Sequence, residues 1–295
     1  MLDLQSPTVR GHLAMLLFSA LVAGSFALGA RAANLIDPAA LNAVRFLLAS
    51  VIIGTLVALG PKLKKRDISA PWRYLVLGGL FAIYFVTMFE GLKTAAPVSA
   101  SAVFTLTPML SAGFGWLLLR QVTTPRMALA LALAAGGAVW VIFKGDVDAI
   151  LAFEIGKGEM IFFIGVVAHA AYTPLIKLLN RGESPLVFTL GMMVAGFILL
   201  SLYGAKALMQ TDFTNLPTIV WITLAYVTVF ASATTFFLLQ YAALHLKAAK
   251  VMAYTYLVPA WVILWEVALG GSLPPLTVFL GIAAVIVALL MLLAD

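Results

Sequence analysis

The 295-residue chain has no cysteine and three histidines, and Asp, Glu, Lys and Arg together make up only 10% of it. Without thiols there is no disulfide, no thiolate nucleophile and no Cys-based metal site. No HExxH, GxSxG or P-loop motif occurs, and His12, His169 and His245 lie far apart along the chain. No cofactor or metal is therefore expected, and an enzyme is disfavoured for want of a nucleophile–base pair. The scarcity of charge excludes still more. A soluble domain must cover itself with polar side chains, and 63% hydrophobic residues with a mean hydropathy of +1.09 leave too few.

What the chain has instead is long apolar runs. A bilayer-spanning helix needs about 20 mostly apolar residues. Ten runs qualify: 11–32, 39–60, 72–93, 97–119, 125–144, 157–179, 184–205, 217–240, 247–270 and 274–294. They are continuous rather than alternating, which argues against a membrane β-barrel. The expected fold is an all-α integral membrane protein with ten transmembrane helices. The run after Arg10, ending at Ala30-Arg31-Ala32, imitates a signal peptide, but it is longer than a usual h-region and is kept as the first span.

The net charge of +6 follows the ends of these runs and does not point to nucleic acid. With a cytoplasmic N-terminus, 12 Lys and Arg, among them Arg10, Lys62, Arg73, Lys177 and Lys250, flank the cytoplasmic ends, against 5 on the outer side. Both termini are thus expected in the cytoplasm. The partners implied are the lipid bilayer and a small molecule. A monomer is sufficient, since ten helices can enclose a cavity.

The chain also repeats itself. Gly91–Pro125 and Ala243–Pro275 share a Lys/Ala-rich start, a mid-helix Leu-x-Pro and a Pro opening the next helix. Pro108 matches Pro259, Leu106 matches Leu257, and Asp37-Pro38 matches Ser184-Pro185. The halves divide at 1–148 and 149–295. Each holds five spans, an odd number, so the second enters the membrane from the opposite side. Inverted repeats of this kind recur in secondary transporters, with the site near the midplane between the halves.

The ordered set Gly24-Ser25-Phe26, Arg45-Phe46-Leu47-Leu48-Ala49, Gly91-Leu92, Leu106-Thr107-Pro108, Ala170-Ala171-Tyr172 and Tyr256-Leu257-Val258-Pro259 resembles the drug/metabolite transporter superfamily in its ten-helix EamA-type branch. It looks most like the bacterial exporters of aromatic and other neutral amino acids. Two departures stand out. Ala23 and His169 replace an aromatic residue that often precedes the first-span Gly and its counterpart. Arg120-Gln121 and Gly271-Ser272 replace a Gly-Glu. The resemblance implies an inner-membrane carrier that exports small metabolites through a central cavity by alternating access.

Candidate residues follow from depth. The middle of the spans holds no Asp, Glu, Lys or Arg by sequence count, but it holds hydroxyls, aromatics and one His. Ser25, Tyr84, Met88, Thr105, His169, Tyr172, Thr235, Tyr254 and Tyr256 are the expected cavity residues. Pro108 and Pro259, each mid-helix, are expected kinks that double as hinges. Arg45, Glu90 and Glu266 are charge candidates: Arg45 either snorkels to the outer face or serves gating or carboxylate attraction. His169 can bind substrate, relay a proton or simply pack. A centre without fixed charge suits a neutral or zwitterionic ligand, amino acids included. The alternatives are a proton-coupled carrier of cationic drugs or sugar-like metabolites and, in other classes, a channel, a receptor or an intramembrane enzyme.

Overall fold

The computed structural model describes residues 6–61, 63–152 and 154–293; Lys62 and the last residue of the 274–294 run lie outside them. Ten helices are long and apolar enough to cross a membrane: α1 Pro7–Ala32, α2 Pro38–Leu59, α3 Trp72–Gly91, α4 Pro97–Leu119, α5 Pro125–Ile142, α6 Lys157–Leu179, α7 Pro185–Tyr203, α8 Thr218–His245, α9 Ala248–Ala268 and α10 Leu276–Leu293. The protein is all-helical, as expected. Three short elements fall between the long ones: a 3₁₀ turn at Lys65–Ile68 and single helical turns at Val147–Leu151 and Ala205–Gln210. Val147–Leu151 lies across the 148/149 division.

Local chemistry sets the starts. Proline opens α1, α2, α4, α5 and α7, where the missing N–H would have no helical partner. Asp37 caps α2 by accepting from the N–H groups of Ala39 and Ala40 at 2.8 and 3.2 Å. Ser184 and Thr124 cap α7 and α5 in the same way.

Two spans are broken near their middles. α4 is interrupted between Phe104 and Thr107 and resumes with Pro108 in its first turn. α9 passes through a 3₁₀ turn at Tyr254–Leu257 and resumes with Pro259 in the same position. Each proline thus sits where its absent N–H leaves nothing unsatisfied. α8 deviates differently: it is 28 residues long and widens into a π-turn at Val229–Thr234.

The packing is twofold. α3 lies along α6 and α7, and α8 lies along α1 and α2; α4 packs on α6 as α9 packs on α1. α2 meets its own counterpart α7, and α5 meets α10. Exchanging the two five-helix halves leaves this pattern unchanged. With an odd number of crossings in each half, the exchange turns one half upside down.

Lipid gives no hydrophobic drive for helix to meet helix, so close packing at small residues supplies the attraction. At the α5–α10 seam a Cβ on Gly137 would lie 2.7 Å from the Gly281 carbonyl, and one on Gly281 would lie 2.7 Å from the Gly137 carbonyl. Gly78 of α3 is as tightly placed against Gly196 and Met192 of α7. The lipid-facing sides are apolar, with Leu202, Leu276 and Leu280 well exposed.

Candidate functional site

Four helices, two from each half and equivalent in the two halves, meet at the centre. α1 contributes Phe18, Val22 and Ser25, and α3 contributes Phe81, Tyr84, Phe85 and Met88. α6 contributes His169, and α8 contributes Ala231, Thr235 and Phe236. They surround a void of about 10 Å³. That is room for about one water. Small-molecule sites occupy hundreds of cubic ångströms, so the centre is closed in this conformation.

Its wall is aromatic. Phe81 and Phe236, from opposite halves, stack with centroids 4.3 Å apart, and Phe85 stacks on Phe236 at 5.7 Å. Tyr84 lies 4.6 Å from the His169 ring, and Phe104 lies 5.2 Å from it. Polar atoms punctuate the wall. Ser25 Oγ, His169 Nδ1 and Thr235 Oγ1 are buried, line the void and have no hydrogen-bond partner among the described residues. Buried polar groups are ordinarily paired, so these three leave hydrogen-bonding capacity directed at the void; other buried atoms, Thr173 Oγ1 and Tyr256 Oη among them, are also unpaired among the described residues but do not line it.

Of the nine expected cavity residues, Ser25, Tyr84, Met88, His169 and Thr235 lie on this void, and the other four do not. Thr105 donates to the Ala102 carbonyl at 2.6 Å and is satisfied within its own helix. Tyr172 is fully buried behind Phe81, at 4.1 Å, and its hydroxyl accepts from Gln240 Nε2 at 2.8 Å. Tyr254 bonds His12 at 3.1 Å and joins α9 to α1. Tyr256 faces a separate apolar cluster with Met127, Val285 and Leu289 of α5 and α10. Phe18, Val22, Phe81, Phe85, Ala231 and Phe236 were not singled out from the sequence. They are apolar residues in apolar helices, and only the helix rotation identifies them.

Arg45 corrects the sequence reading. It does not snorkel: it is fully buried. Nε donates to Ser232 Oγ at 2.5 Å, one terminal nitrogen to the Ala231 carbonyl at 2.7 Å, and the other to Asn42 Oδ1 at 3.3 Å. The guanidinium carbon lies 3.6 Å above the Phe85 ring. Ser232 is fourteen residues after the start of α8 and thirteen before its end. The centre is therefore not free of charge: a guanidinium stands beside the void, joined to it by Ala231 and Phe85.

The remaining charges sit near the two faces. Glu266 holds Arg31 at 2.8 and 3.4 Å, tying α9 to α1, and Glu90 pairs with Lys93 at 2.7 Å. Glu159 accepts from Ser99 at 2.7 Å. On the face that carries the chain ends, Arg73 is buried against Glu183 at 2.6 Å and also donates to the Leu179 carbonyl. Burial alone would push the Glu183 carboxyl up, but the Arg73 guanidinium and the Arg181 N–H outweigh it and hold the group below its ordinary value. Lys177 donates to the Leu246 carbonyl at 2.6 Å on the same face.

A twofold bundle of ten membrane-crossing helices closed over a central aromatic and hydroxyl-lined void defines a membrane transporter. The chain belongs to the EamA-like transporter family, whose model matches it twice, over residues 9–143 and 156–294. It is similar to an uncharacterized transporter of Bacillus subtilis (strain 168), YyaM, with 28% identity over 290 residues, covering 96% of this chain and 93% of that one. A crystal structure superposes with a TM-score of 0.72 at 19% identity, covering 97% of this chain and 96% of the other, and so shares the fold.

Proposed function

We propose that the protein is a carrier in the bacterial inner membrane that exports neutral amino acids, aromatic ones included, and similar small metabolites by alternating access. One observation carries the reading. Aromatic faces and unpartnered polar atoms converge from equivalent helices of both halves on a single void. Such a lining fits a ligand that is partly apolar and partly hydrogen-bonding. The positive-inside bias supports cytoplasmic termini, and the two halves, 1–148 and 149–295, form the rocking units.

The closed centre requires movement for a substrate to enter. The breaks before Pro108 and Pro259 are the natural bending points, because each already lacks a regular hydrogen-bond ladder. Links between the two halves at each face fit a gating role: Arg31–Glu266 on one and the buried Arg73–Glu183 pair on the other. Glu90 pairs only locally with Lys93 and is left out of this gate. No carboxylate lines the void, which favours a facilitator over a proton-coupled carrier of cations.

Counterflow in proteoliposomes tests the proposal. Labelled phenylalanine is expected to accumulate transiently against unlabelled phenylalanine inside, with saturation and without need of a pH gradient. Absence of counterflow for every neutral amino acid, or dependence on a pH gradient that Ala in place of His169 removes, would contradict it.

A further inference from the structure

Among the described residues, Arg45 is the only charged side chain buried at mid-depth. Its three acceptors, Ser232 Oγ, the Ala231 carbonyl and Asn42 Oδ1, are all neutral. A guanidinium has five N–H donors, so two are left over, and among the described residues Arg45 forms no ion pair with a carboxylate. A lone cation in a bilayer interior is costly and is retained where it meets an opposite charge in function. The π-turn of α8 is what makes the arrangement possible: at a π-turn the carbonyls depart from the regular ladder, and Ala231 offers its own to Arg45. π-turns of this sort occur often at functional sites.

A second observation is independent of the first. The void's three unpaired polar atoms and its aromatic wall meet the Arg45 cluster at Phe85 and Ala231, which belong to both. A cation and an apolar cradle are thus adjacent, separated by one ring.

We propose that Arg45 is the docking point for a single carboxylate on the substrate, and that the α8 π-turn holds the guanidinium in place until that carboxylate arrives. The inference rests on the carrier reading above and narrows its substrate class to monocarboxylates with an aromatic or apolar body. A guanidinium and a carboxylate match in a planar, two-point geometry and in charge. A phosphate monoester carries about −1.5 to −2 at neutral pH and would leave charge unbalanced beside one Arg. The body of the substrate lies against Phe18, Phe81 and Phe236, and Ser25, His169 and Thr235 receive its other polar groups.

The test uses four probes of one shape: phenylalanine, phenylacetate, phenylalaninamide and phenethylamine. Flux into proteoliposomes and thermal stabilisation of the purified protein are measured for each. The two carboxylates are expected to exceed the amide and the amine about ten- to hundredfold. Arg45→Met should bring that ratio toward one, and Arg45→Lys should restore part of it. A merely structural Arg45 would lower all four together and leave the ratio alone. If Arg45→Met fails to fold, the probe comparison on the unmodified protein decides. Equal handling of all four probes, or a ratio unchanged in a folded Arg45→Met protein, overturns the docking point while leaving the carrier intact. No flux and no stabilisation by any of them overturns the carrier reading for aromatic substrates, and the docking point with it.

Discussion

The two halves use one scaffold for unlike chemistry. Seven residues after the proline that opens α2 stands Arg45; seven residues after the proline that opens α7 stands Met192. Both are fully buried. Met192 meets an apolar neighbourhood, and its carbonyl packs against Gly78 of α3. Arg45 reaches three acceptors and a ring face. The same divergence runs through the other central helices. α1 brings Ser25 to the void and α6 brings His169; α3 is a regular helix where α8 has a π-turn. Packing symmetry is thus a matter of glycines and small residues, and it survives wide divergence in the side chains that face the centre. Those side chains alone decide what the centre recognises.

Making the second half resemble the first should do the most damage. Met192→Arg places a cation in an apolar neighbourhood with no ion-pair partner among the described residues, and a charge at mid-membrane costs roughly 2.5–3.5 kcal/mol. A collapse in the yield of monodisperse protein on size-exclusion chromatography is expected. Normal yield and an unchanged Tm would mean that α7 has acceptors the structure does not place near it.

The faces offer a smaller effect. Glu183→Gln weakens the buried pair with Arg73, with a loss of roughly 1.5–3 kcal/mol for hydrogen bonds to a charged group. Because the folded carboxyl titrates below its unfolded value, its stabilisation is full above that unfolded value and fades as the pH falls through the folded one. The unmodified protein should therefore lose Tm between about pH 5 and pH 3 more steeply than Glu183→Gln does. Parallel curves would remove the pair from the stability of that face.

The smallest effect separates residues on the void from those behind it. Tyr256→Phe removes a buried hydroxyl that has no partner among the described residues, so Tm should hold or rise slightly and flux should not change. Tyr84→Ala should lower phenylalanine flux, since its ring lines the void. Equal effects of the two would erase the distinction.

How far the sequence alone reaches follows the same division. The spans were legible because a bilayer imposes length and apolarity, and 97–119 and 157–179 coincide with the helices observed. α8 runs five residues past its expected end because its polar Gln240 and His245 lie inside a helix that a hydropathy run cannot follow. The centre was half legible. Hydroxyls and His169 were sought as polar residues at mid-depth, and five candidates proved to share the void. Tyr172 and Tyr256 have the same depth but the wrong rotation, which periodicity in uniformly apolar helices does not encode. Arg45 lies deeper than its Cα position implies, which is about 9 Å into the 39–60 run at 1.5 Å per residue. Its long side chain runs inward, toward acceptors on a helix of the other half.

A chain without cysteine is already suited to the decisive measurement. Ser25→Cys puts a single thiol on the central void, and membrane-impermeant thiol reagents can be applied to right-side-out and to inside-out vesicles. Labelling from both sides, slowed in both by phenylalanine, is the expected result for a centre that opens to each face in turn. Labelling from one side only, or none from either, would contradict a carrier built from two inverted halves.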